Sequence, residues 1–151
     1  MIPVIRSHRF WLFMTGGWLV LGGAAHLTAH VWSFVLENGM IGLGDFAMNA
    51  MKQARSPNPL NPSLWRQFRL FSVSFALLQL FAGGLNLLLA WTRAPRRTVQ
   101  AVALFATVFW TLAFIPFAFV DPVIQAIVIA VVVVPLQGLV YLTASQPEES
   151  P

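Results

Sequence analysis

The segment FWLFMTGGWLVLGGAAHLTAHVWSFVL, Phe10 to Leu36, contains no Asp, Glu, Lys or Arg and carries His26 and His30 in its second half. At 1.5 Å per residue a helix of that length runs about 40 Å, longer than the roughly 30 Å hydrocarbon core of a bilayer. It is therefore expected to tilt, or to bring its last two turns into the interface. Arg6, His8 and Arg9 precede it and Gly23-Ala24-Ala25 imitates a cleavage site, the marks of a signal peptide. The segment stays apolar well past those small residues, so a retained membrane span is the expectation.

Composition agrees. The 151 residues are 58% hydrophobic and 9% charged, with a mean hydropathy of +0.73. A soluble domain carries about 25% charged residues, so this chain cannot clothe a soluble surface, and an enzyme domain of the cytoplasm or a disordered tail is excluded. The length allows one transmembrane domain over residues 1–151. There is no cysteine, hence no disulfide framework and no thiolate metal site. The formal charge of +4 comes from arginines beside apolar segments: Arg6 and Arg9, Arg66 and Arg69, then Arg93, Arg96 and Arg97. Side chains so placed snorkel to lipid headgroups, and nothing in the pattern calls for nucleic acid.

Three more apolar runs are expected to span, at about 68–91, 98–119 and 122–142, with Pro116 loosening the last turn of the third span. Asp121-Pro122 resembles a helix cap followed by proline at the first helical position. The run Ile127 to Val134, IVIAVVVV, would suggest a buried strand in water. In lipid a lone strand leaves its backbone unsatisfied, so a helix is expected. The connection 37–67 is mixed: Gly42 to Ala54 has helical periodicity but is too short and polar to span, and Pro57, Pro59 and Pro62 break any regular element after it. The fold class is thus all-α, four transmembrane helices in a bundle, with a short interfacial amphipathic helix between the first two.

An even number of spans puts both termini on one side. That side carries Arg6, Arg9, Arg93, Arg96 and Arg97, against Lys52, Arg55, Arg66 and Arg69 on the other. Short juxtamembrane loops and the first span weigh most, which favours both termini in the cytoplasm. Trp11 and Trp91 then mark the inner interface, and Trp32 and Trp65 the outer one.

Polar residues inside the spans are the candidates for function. Thr15, Leu19, Gly22, His26, His30, Ser33 and Glu37 recur at three and four, so they share one face of the first helix. Imidazoles one turn apart can converge on one metal or pass a proton between them. Such a pair cannot occupy opposite axial positions of one haem. On the second span Ser72, Gln79 and Asn86 repeat at seven, and antiparallel packing brings Ser72 to the level of His30. Gln125 enters the fourth span at a similar outer depth, with Asp121 just above it. The candidate ligand-binding set is His26, His30, Glu37, Ser72, Gln79, Asp121 and Gln125, with His26 and His30 as the candidate metal ligands. Polar groups in membrane bundles also simply join helices, at about 0.6–2 kcal/mol each.

GGAAHLTAH within the first span, FAMNAMKQ in the loop, FRLFSVSFALLQLFAGGLNLLL as the second span and IPFAFVDP at the last junction give the chain its texture. In these it resembles a loosely defined group of small uncharacterised bacterial four-helix integral membrane proteins. The resemblance covers nearly the whole chain. It implies the four-helix architecture and a place in the bacterial inner (cytoplasmic) membrane, and assigns no catalytic role.

The expected function is that of an accessory or structural subunit of a membrane complex, leaning away from an enzyme. Membrane lipid and either a membrane-protein partner or a second copy of the chain would be its neighbours. One alternative is a binding or redox module that holds a lipophilic ligand (quinone, lipid or pigment) or a metal near the histidine pair. Another is a minimal transporter or proton relay built as a homo-oligomer, with His26, Glu37 and Gln79 lining its path. No cofactor is required by the sequence.

Overall fold

A computed structural model describes residues 7–32, 45–54, 63–119 and 124–146, which are helical almost throughout, with no strand among the described residues. The helices are α1 (His8–His30), α2 (Asp45–Gln53), α3 (Leu64–Trp91), α4 (Arg96–Phe119) and α5 (Ile124–Ala144). Three of them are long and apolar enough to cross a membrane: α1, α3, and α5 over Ile127–Ala144. Of four expected spans, three therefore meet that test among the described residues. The 24-residue α4 opens on Arg96 and Arg97 and carries Gln100 in its second turn, ahead of an uncharged run from Ala101 to Phe119. The nine-residue α2 is far too short to span.

Local chemistry sets the ends more than hydropathy does. The α-helix of α1 runs to His30 and a π-helical turn follows at Val31 and Trp32, while the rest of the expected span, to Leu36, lies outside the described residues. α3 begins at Leu64, a turn before the expected 68, because the Ser63 carbonyl accepts from Arg66 N at 2.9 Å and Gln67 N at 3.0 Å. Arg66 thus lies inside the helix, as Arg69 does, rather than in front of it. The α3–α4 turn holds Arg93 at a φ of 53°, while Ala94 N reaches back to Leu89 O at 3.1 Å. That is the left-handed helix-closing geometry usually given to glycine, here with Pro95 two residues later. Pro116 does not end α4, which runs on to Phe119. Pro135, inside α5, offers no N–H to the Val131 carbonyl one turn earlier.

The chain divides into two compact units, and α1 and α3 contribute to both. The first comprises Met1–Val20 and Phe81–Pro151. Here α4 and α5 pack along one another, and small residues let the helices close: Leu12, Ala90, Val99, Ala103, Val140 and Ala144 form one buried cluster. Leu19, Trp110 and Val133 form another. At the α1–α3 crossing a Cβ on Gly16 would stand 2.9 Å from the Gly83 carbonyl, and one on Gly83 would stand 2.9 Å from the Gly16 carbonyl. Arg9 Nε donates to the Ala90 carbonyl at 3.2 Å, and Arg96 to that of Gln146. Thr15, fully buried, donates to Trp11 O at 2.8 Å on its own helix instead of reaching across.

The second unit, Leu21–Leu80, contains the end of α1, all of α2 and the start of α3. Leu64 N donates to Ala54 O at 3.2 Å, and Lys52 Nζ lies 5.2 Å from the centre of the Trp65 ring, so α2 is tied to the first turn of α3.

Candidate functional site

The site is built where α1 and α3 come into close backbone contact in the second unit. A Cβ on Gly23 would come within 3.0 Å of both the Ala76 carbonyl and Leu80 N, so only glycine lets the two backbones meet there. One turn further along α1, His26 Nε2 lies 3.1 Å from Ser72 Oγ. A turn beyond that, His30 Nδ1 lies 3.1 Å from the same oxygen. Rising numbers on α1 meet falling numbers on α3, the antiparallel register that sets Ser72 beside both histidines.

Burial and neighbours fix the imidazoles. Phe75 meets the His26 ring edge to face, with centroids 5.6 Å apart and planes at 79°. His30 is 9% exposed and Ser72 8%. Arg69, one turn before Ser72 on α3, is close enough for its charge to act on His30.

One hydroxyl offers one proton and accepts others. Two imidazole nitrogens on Ser72 Oγ are both bonded through a continuous chain when one is protonated and donates, and the other is bare and accepts from the serine. Each ring therefore holds the other in a tautomer by way of Ser72.

Gln79 lies seven residues along α3 from Ser72, about 10 Å by helical rise, and is fully buried. A Cβ on Gly22 would be 2.9 Å from Gln79 Oε1. Neither Nε2 nor Oε1 of this amide has a hydrogen-bond partner. Of the other candidates, Glu37 and Asp121, and the side chain of Gln125, lie outside the described residues. The structure thus joins His26, Ser72 and His30, and sets Gln79 on the same helix face as Ser72. Among the described residues no group of three His, Cys, Asp or Glu could hold a metal ion.

Sequence reasoning passed over Gln137, which lies buried in α5 and donates to Asn86 Oδ1 at 3.0 Å. The signal was available: an amide inside an apolar run is as costly as Gln79, yet Gln125 near the helix end drew the attention. Phe75 carried no such signal among thirteen phenylalanines.

No family model matches the chain, and neither a curated protein nor a solved structure resembles it at a significant level.

Proposed function

We propose that the protein is a four-span component of the bacterial inner membrane, with both termini in the cytoplasm, that serves as an accessory subunit of a larger membrane complex. The reading takes α4 as the fourth span, supported by its packing along α5. The observation that carries it is the location of the chemistry. Among the described residues, the linked polar cluster of His26, Ser72 and His30 lies between two spanning helices. The helix outside the spans has nine residues. A protein with its polar chemistry inside the bilayer acts on what lies beside it there. Extraction of tagged protein from native membranes into lipid nanodiscs, followed by native mass spectrometry, tests this. One hetero-partner at fixed stoichiometry is the expected result. Single chains or self-pairs alone would contradict it.

Gln79 favours a second reading, a binding module for a lipophilic hydrogen-bonding ligand. A buried amide with both ends unsatisfied costs about 1–3 kcal/mol per group, and the hydroxyl of a quinol or lipid headgroup supplies donor and acceptor together. Organic extraction of the same nanodiscs is expected to release such a molecule in stoichiometric amount from wild type, and less from Gln79→Leu. Equal recovery from both would remove this reading.

A further inference from the structure

We propose that His26, Ser72 and His30 form a proton-transfer chain, imidazole to hydroxyl to imidazole, along the inside of the α1–α3 pair. The inference rests on the membrane placement above but not on a partner. The two links, His26 Nε2 to Ser72 Oγ and Ser72 Oγ to His30 Nδ1, are both 3.1 Å, within reach of direct transfer between hydrogen-bonded atoms.

The step balances without any further reactant. A proton taken up from water makes His26 an imidazolium. Its Nε2–H bond breaks as Ser72 Oγ gains that proton, and the Ser72 O–H bond breaks as His30 Nδ1 gains the serine proton. His26 ends neutral, His30 ends as the imidazolium, Ser72 is regenerated, and His30 returns a proton to water. The charge moves one turn along α1 while no heavy atom travels.

The surroundings suit transfer more than a fixed bond. Ser72 is 8% exposed, and its Oγ lies within hydrogen-bond reach of both rings at once. Phe75 meets the other face of the chain at His26, edge to face with its ring and with no polar group of its own. A chain used only to fasten the two helices needs no second imidazole on the same oxygen.

Nitrogen-15 NMR of histidine-labelled protein in nanodiscs reads the chain directly, in a His8→Gln background so that only the two rings report. In the neutral state one facing nitrogen is expected at the protonated position and the other at the bare position. When the pair takes up one proton, the resonances of both rings are expected to move together. In Ser72→Ala that joint response is lost and each ring responds separately. Ser72→Thr, which keeps the hydroxyl, is expected to restore it. Independent responses in wild type, or two facing nitrogens that stay protonated throughout, would overturn the proposal. Joint response without any hetero-partner in the membrane would uphold the chain and refute only the accessory-subunit reading.

Discussion

Gln137 Nε2 donates to Asn86 Oδ1 at 3.0 Å, an amide-to-amide bond between α5 and α3 inside the unit formed by Met1–Val20 and Phe81–Pro151. Asn86 Nδ2 is occupied with the Ala82 carbonyl at 2.8 Å on its own helix, while Gln137 Oε1 has no partner. The pair is therefore asymmetric. Asn86 is satisfied through both ends of its amide, whereas Gln137 is satisfied at one.

The asymmetry predicts unequal costs. Asn86→Leu strands the Gln137 donor in an apolar interior and should destabilise the protein by about 1–3 kcal/mol. Gln137→Leu strands the Asn86 oxygen but also removes the unsatisfied Gln137 oxygen, so it should cost less, about 1 kcal/mol. The double variant strands neither partner and should cost well less than the sum of the two. Unfolding in mixed micelles, followed by far-ultraviolet circular dichroism, measures all three.

Gly16 and Gly83 form a reciprocal contact that side chains cannot enter. A Cβ on Gly16 would lie 2.7 Å from Leu87 Cγ and 2.9 Å from the Gly83 carbonyl, so Gly16→Ala must push the helices apart. Overpacking of this kind costs about 1–3 kcal/mol. Gly17 and Gly84, one residue along, have nothing within 4 Å of the same position. Gly17→Ala and Gly84→Ala should leave stability unchanged or raise it slightly, since alanine is the better helix former. The same unfolding assay separates the two pairs.

Gln79→Leu should stabilise the protein in detergent stripped of lipid, by about 1–3 kcal/mol for each of the two buried polar atoms without partners that are removed. In native-lipid nanodiscs the gain should shrink or reverse, because an occupant that satisfies the wild-type amide is lost. Thermal unfolding in the two environments checks the pair of outcomes.

How far these features were legible follows from particular residues. The apolar runs and their flanking arginines gave the helices, because length and hydropathy are the quantities that a bilayer reads. The face containing Gly22, His26 and His30, and the sevenfold repeat of Ser72, Gln79 and Asn86, followed from helical periodicity alone. The atomic link did not. Periodicity puts Ser72 at a level, while the 3.1 Å bonds depend on how closely Gly23 lets α1 approach α3. The start of α3 at Leu64 escaped because Ser63 caps through its backbone carbonyl, which leaves no mark in hydropathy. Arg93 stands in a left-handed position where the pattern leads one to look for glycine. Gln137 was visible as a residue but not as a partner, since its meaning depends on which part of α3 faces α5.

The neighbours of α1 and α3 decide whether the protein is an accessory subunit. Leu21, 70% exposed, lies on α1 five residues before His26, and a photoreactive leucine analogue placed there would report its neighbours in living cells. One cross-linked membrane-protein partner, recovered at constant yield and unchanged when the chain is overproduced, is the predicted result. Adducts with lipid alone, or with a second copy of the same chain, would contradict the account.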